Sequence, residues 1–219
     1  MENFVVAIDG PAGSGKSSVS KEIAKRLGFT HIDTGAMYRA VTLYALRLGI
    51  DLDNPLEYTF LDNIEIIYKE GKTYLNGEDV SKEIRSEEVT NNASLPARIA
   101  SVREKMVYFQ RESLKIGHVI MDGRDIGTVV APNANLKVFL TASPEIRAKR
   151  RCMENEVKGI ESNYGIILKE IIERDKKDSE RKISPLKQAD DAILVDTTNL
   201  GIEQVITKII DLINERLGK

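Results

Sequence analysis

Eight residues near the start of the chain, Gly10-Pro11-Ala12-Gly13-Ser14-Gly15-Lys16-Ser17, match the pattern G-x-x-x-x-G-K-[S/T] at every required position. The pattern constrains a fold because it works only as the turn between a buried strand and a helix. Both neighbours are legible. The apolar run Phe4-Val5-Val6-Ala7-Ile8 reads as a strand, and Ser18 to Leu27 carries Val19, Ile23, Ala24 and Leu27 at helical spacing. Glycines at 10, 13 and 15 let successive backbone N–H groups curl around one anion at a helix N-terminus, while Lys16 adds a point charge at the outer phosphates. Ser17 is placed to ligate magnesium. Gly10 to Ser18, with Ser18 opening the helix, is therefore expected to bind the phosphates of a nucleotide. The structural alternative, a glycine-rich turn with a solvated lysine, is disfavoured by the flanking pattern.

Beyond the loop, short apolar runs recur at Val5–Asp9, Phe29–Asp33, His118–Asp122, Leu136–Thr141 and Ala192–Asp196, with helical patterns filling most of the gaps. Strands alternating with helices predict an α/β chain whose parallel sheet is covered on both faces, with ligands beyond the carboxyl ends of the strands. Four of the runs end in or lead into Asp-rich polar segments, so the chemistry is expected at one rim. Ile64 to Leu75 breaks the alternation. It reads as a hairpin around Lys69-Glu70-Gly71-Lys72, followed by a second turn signal at Asn76-Gly77. Ile202 to Leu217 is expected to be a packing helix.

Lys plus Arg total 32 against 34 for Asp plus Glu, a balance that supplies no basic field for sequence-independent binding of nucleic acid polymers. The single cysteine, Cys152, excludes an internal disulfide and disfavours a thiolate zinc site. No apolar stretch approaches membrane-spanning length and Met1 to Gly10 has no signal-peptide pattern, so a cytoplasmic protein without a membrane partner is expected. Ser143 to Arg181 is dense in charge, and most of it reads as a solvated helix pair. Arg174, Asp178 and Arg181, spaced by four and then three, are expected on one helical face, where two guanidinium groups flanking a carboxylate could hold a hydroxylated, phosphorylated ligand.

Four more segments, Asp33-Thr34-Gly35-Ala36-Met37-Tyr38-Arg39, Asn91 to Ser94, Asp122-Gly123-Arg124-Asp125 through Val130, and Glu173-Arg174-Asp175 through Ser184-Pro185-Leu186, follow the phosphate loop in order. With matching separations they resemble the signature segments of the bacterial cytidylate kinase family over essentially the whole chain. The resemblance implies a three-layer P-loop kinase fold with a five-stranded parallel sheet, forming a single unit. Its core would comprise residues 1–61 and 90–219, with a lid near 150–170 and a monophosphate-binding insert at 62–89. It implies transfer of the terminal phosphoryl group of ATP to CMP or dCMP, with Mg²⁺, by a monomer. Lys16, Arg124 and Arg181 would serve catalysis. Arg39, Arg124 and Arg181 would grip the acceptor phosphate, Arg174 and Asp178 the sugar, and Ser94, Arg103 and Asp125 the base; Thr34 would join this acceptor site. Asp122 would order magnesium waters, its alternative being a helix cap.

Cytosine offers an N4 amino donor beside N3 and O2 acceptors, and a carboxylate at Asp125 with a guanidinium at Arg103 supplies the complement. Without the resemblance, Arg103 would read as a surface residue of a helix over Ala100 to Leu114. His31 and His118 are expected to be strand residues and not catalytic. Tyr38, Tyr44 and Tyr68 read as packing, with Tyr38 inside a ligand motif. Two competing readings are a kinase of this architecture with another acceptor, such as shikimate, and a GTP-dependent switch. Residues 64–89 and the Asp125/Arg103 pair weigh against the first. The second needs an Asn-Lys-x-Asp segment, and the chain has none.

Overall fold

A computed structural model describes residues 3–115, 117–157 and 159–218. The first unit is strand β1 (Val5–Asp9), helix α1 (Lys16–Leu27), strand β2 (Thr30–Asp33) and helix α2 (Thr34–Leu48). Three short strands follow, β3 (Ile66–Lys69), β4 (Lys72–Leu75) and β5 (Glu78–Asp79), then helices α3 (Glu87–Asn92) and α4 (Ala100–Ser113). The second half comprises β6 (Val119–Gly123), β7 (Leu136–Thr141), α5 (Pro144–Val157), α6 (Tyr164–Glu180), β8 (Ile193–Asp196) and α7 (Ile202–Leu217).

Five of these strands form one parallel sheet in the order β2-β6-β1-β7-β8. Side chains alternate across it with period two, which sorts the sequence onto two faces. Val6, Ile8, Ile120, Val138 and Leu140 meet Val19 and Ile23 of α1 and Val205, Ile206 and Ile209 of α7. Ala7, Ile32 and Met121 face the other way, against Met37 and Val41 of α2 and Val102 and Met106 of α4. The result is three layers, helix on sheet on helix. Burying each large side chain of this kind stabilises the fold by about 1.5–3 kcal/mol.

Phe29, His118 and Ala192, expected inside strands, lie just outside them. Phe29 and His118 instead stack at 4.9 Å beside Phe4, closing the end of the sheet opposite the phosphate loop. The expected hairpin is tighter than its four-residue turn. Lys69 pairs with Lys72, leaving a two-residue turn at Glu70 (φ 53) and Gly71 (φ 76), whose left-handed geometry matches the twist of the strands it joins. Asn76-Gly77 turns β4 into β5 in the same way. This three-stranded antiparallel sheet is separate from the main one, but Ile66, Leu75, Val80 and Ile84 are buried in the apolar cluster that contains α2. No described helix is long and apolar enough to cross a membrane.

Candidate active site

A parallel sheet brings the carboxyl ends of its strands to one edge, and here that edge carries Asp9, Asp33 and Asp122. Register places Asp33 and Ile8 on either side of Asp122. The phosphate loop leaves β1 at Gly10, where a β-carbon would sit 2.0 Å from the Leu140 carbonyl oxygen, so no other residue fits. Gly15, at φ 91, then caps α1 in a left-handed conformation that a side chain would strain. Lys16 folds inward and donates from Nζ to the Pro11 carbonyl at 2.7 Å and toward Ser14 Oγ at 3.3 Å. Burial, and then the Arg124 guanidinium, hold its ammonium well below the ordinary lysine range. A bound anion would reverse that cost.

Ser17 Oγ donates to Asp122 Oδ2 at 2.6 Å, joining the loop to the end of β6. Asp122 is therefore no helix cap. That part is played by Asp33, which accepts from the Ala36 N–H at the start of α2. The other oxygen of Asp122 lies 2.6 Å from His31 Nε2, and Thr34 Oγ1 donates to the Asp122 carbonyl at 2.8 Å. Tyr68, from the antiparallel sheet, sets its ring edge-on to His31. His31 thus does more than fill a strand, since it fixes one oxygen of Asp122.

Opposite the loop lies a cluster of guanidinium groups. Arg124 Nε donates to Asp178 Oδ2 at 2.9 Å, and Arg103 Nη2 donates to Asp125 Oδ2 in a fully buried pair. Arg181 Nη2 is 3.8 Å from Asp125 Oδ1, and Arg39 holds Asp33 at 3.2 Å. Burial alone would raise the Asp178 carboxyl, but Arg124, Arg174 and Arg181 outweigh it and keep it below its usual value. Burial, and then Arg124, push Arg174 down to about 10. Arg103 lies over the Tyr38 ring at 5.5 Å, and burial pushes that phenol up to about 12. Four buried guanidinium nitrogens, Arg39 Nε, Arg103 Nε, Arg174 Nε and Arg181 Nη2, have no hydrogen-bond partner among the described residues. Buried donors left open cost stability unless something else satisfies them.

One expectation needs correcting. Arg174 and Asp178 lie on α6, but the helix ends at Glu180 and Arg181 is extended at φ −62, ψ 140. The chain turns away there because the Asp178 carbonyl takes the Leu186 N–H and Arg181 Nε bonds the Ser184 carbonyl. Arg181 consequently faces Asp125. Of the residues named from sequence, the side chains of Ser18, Ser94 and Arg174 form no hydrogen bond among the described residues that ties them into this network; Arg174 acts on Asp178 through charge alone, and Ser94 is half-buried in the turn after α3. Arg103 is 2% exposed, so it is no surface residue of α4.

Besides the part played by His31, sequence reasoning missed two more supporting side chains. Asp9 accepts from the N–H groups of Ile126 (2.8 Å) and Gly127 (2.7 Å), clamping the segment that carries Arg124 and Asp125 onto the root of the phosphate loop. Its position directly before Gly10 was the available signal. Arg147, read as part of a solvated charge run, is buried and donates to the Ala12 carbonyl of the loop.

The glycine loop with its buried Lys16 and the guanidinium cluster beyond it could each hold an anion at one sheet edge, an arrangement chemically suited to passing a phosphoryl group between two ligands. Fold and site together define a P-loop kinase. The fold resembles that of shikimate kinase from Bacteroides thetaiotaomicron, with a TM-score of 0.50 at 14% identity over 97% of this chain and 99% of that one. The family model described as cytidylate kinase matches residues 6–215. Cytidylate kinase from Geobacillus sp. is 52% identical over 99% of both chains, and that from Acholeplasma laidlawii is 50% identical over 100% of this chain and 98% of the other. The chain belongs to the cytidylate kinase family.

Proposed function

We propose that the phosphate loop holds the donor and the guanidinium cluster the acceptor in the reaction of this family, the ATP-dependent phosphorylation of CMP or dCMP to CDP or dCDP. The observation that carries the assignment is the set of buried, unpartnered N–H donors on Arg39, Arg103, Arg174 and Arg181, opposite a lysine whose charge burial disfavours. Both are deficits of negative charge. Arg39, Arg124 and Arg181 grip the acceptor phosphate, and Arg174 with Asp178 hold the sugar. Asp125 accepts from the cytosine amino group, Arg103 donates to its ring acceptors, and Ser94 completes the base site. Thr34, bonded to the Asp122 carbonyl, packs the floor between donor and acceptor.

Transfer of this kind asks the protein for alignment and charge, not for a nucleophile or a base. Lys16, Arg124 and Arg181 strengthen their contacts as charge shifts onto the moving group, which lowers the barrier more than it tightens binding. Ser17 and Asp122 are hard oxygen donors joined across the loop mouth, a set that suits Mg²⁺, with Asp122 acting through water. Among the described residues no group of three or more His, Cys, Asp or Glu could hold a metal, so the ion would arrive with the nucleotide's phosphates. When bound, Mg²⁺ supplies charge neutralisation at those phosphates. Residues 62–89 and the lid near 150–170 close over the two nucleotides and exclude water, in a monomer acting in the cytoplasm.

The test is a panel of CMP, dCMP, UMP, AMP, GMP and shikimate, each incubated with ATP over a range of Mg²⁺ concentrations while ADP release is followed. CMP and dCMP should be the best acceptors, and chelating the metal should stop turnover. Preferred use of a purine monophosphate or of shikimate would overturn the assignment of the base site.

A further inference from the structure

We infer that Arg147 and Asp175 form a positioning couple that ties the shape of the phosphate loop to the helix carrying the acceptor-sugar residues, so that donor and acceptor bind cooperatively. The inference rests on the proposed placement of ATP at the loop and of the acceptor beside α6.

Arg147 sits in the second turn of α5 with its side chain only 3% exposed. Its guanidinium serves three elements at once. Nε donates to the Ala142 carbonyl just beyond β7 at 2.9 Å. Nη1 donates to the Ala12 carbonyl at 3.0 Å and to Asp175 Oδ1 at 3.0 Å, and Nη2 closes a two-pronged pair with Asp175 Oδ2 at 2.6 Å. The planar fork of arginine allows this, and the point charge of lysine does not.

The bond to Ala12 bears directly on anion binding. In a trans peptide the C=O and the following N–H point in opposite directions. Holding the Ala12 carbonyl outward against α5 therefore aims the Gly13 N–H inward, toward the phosphate cradle. Arg147 also lies against Gly13 itself, where a β-carbon would meet its own Cβ at 3.4 Å. At the far end of the couple, Asp175 is the immediate neighbour of Arg174 and lies one turn before Asp178. Engagement of a sugar by Arg174 and Asp178 fixes α6, which fixes the Asp175 carboxylate, and with it the fork that shapes the loop. The apolar contact between α5 and α6 is small, centred on Ala148, Ile167 and Ile171, so a polar couple has leverage on how the two helices sit.

A couple that merely held α5 to α6 would affect melting temperature and nothing else. Coupling between sites is reciprocal and measurable. Calorimetric titration of the full chain with a non-hydrolysable ATP analogue and Mg²⁺, with and without saturating CMP, gives the factor by which each ligand tightens the other. We expect about fivefold or more in the wild type. In Asp175→Asn, which keeps size and removes charge, the factor should fall below about twofold, while affinity for CMP alone stays within about threefold because Asp175 does not touch it. Asp175→Glu should restore part of the coupling. Arg147→Lys combined with Asp175→Asn should lose no more than the worse single change. A wild type with no reciprocal tightening, or an Asp175→Asn variant that melts earlier yet keeps the wild-type factor, overturns the inference. A wild type that binds the ATP analogue but not CMP instead sinks the acceptor assignment, and this inference with it.

Discussion

Replacing Asp125 by Asn should narrow the preference for CMP over UMP by about tenfold, and the surroundings of Asp125 set that figure. The residue is 4% exposed, one of its oxygens is held by the buried Arg103, and Arg181 lies 3.8 Å from the other. Asp125→Ala would leave those cations without a counter-charge, and breaking a buried pair by removing one partner costs about 3–5 kcal/mol, enough to confuse lost recognition with lost folding. Asn keeps an oxygen for Arg103. A hydrogen bond to a charged group contributes about 1.5–3 kcal/mol against about 0.5–1.5 for a neutral one, so the contact to the cytosine amino group should weaken by about 1–1.5 kcal/mol. At about 1.4 kcal/mol per factor of ten, kcat/KM for CMP falls by about five- to tenfold beyond any general loss. UMP escapes this penalty, because uracil presents a carbonyl where cytosine presents its amino group, and the Asn NH2 can donate to it while the Asn oxygen still serves Arg103. The assay is kcat/KM for both monophosphates in wild type and variant, with melting temperature as the folding control. If both efficiencies fall by one common factor, Asp125 shapes the site in general and does not read the base.

Lys16→Met should lower kcat by at least about a hundredfold while the ligand-free variant melts no earlier than the wild type, because the lost ammonium is buried and its charge disfavoured there; normal turnover would refute its role. Burial, opposed by the Gly127 and Ile126 N–H groups, raises the Asp9 carboxyl from its ordinary 3.8 to about 6. A carboxyl that protonates more readily when folded contributes stability that is complete below 3.8 and is lost as pH rises through about 6. Denaturant unfolding of wild type and Asp9→Asn should therefore show the wild type losing up to about 3 kcal/mol relative to the variant between pH 4 and pH 7, and a flat or rising difference would refute the assignment. In hydrogen exchange, residues 62–89 and 143–181 should gain protection when both nucleotides are added, since water must be excluded during transfer; unchanged exchange in both regions would count against closure.

What could be read from the sequence is what is written locally. The phosphate loop, the strand and helix on either side of it, the final helix Ile202–Leu217, a hairpin turn within Lys69–Lys72 and the turn at Asn76-Gly77 each follow from periodicity or from residues within a few positions. Sequence also named the residues of the arginine cluster, through the segments that resemble a family. It could not say which carboxylate each arginine would face, nor that Arg181 would leave the helix of Asp178 to face Asp125. The pairs that hold the site together join distant parts of the chain: Asp9 with Gly127 across 118 residues, His31 with Asp122 across 91, Arg147 with Ala12 across 135. No periodicity encodes such partners. They exist because the strand order β2-β6-β1-β7-β8 brings those strand ends to one edge, where a polar group taken out of water is costly unless it finds a hydrogen-bond partner.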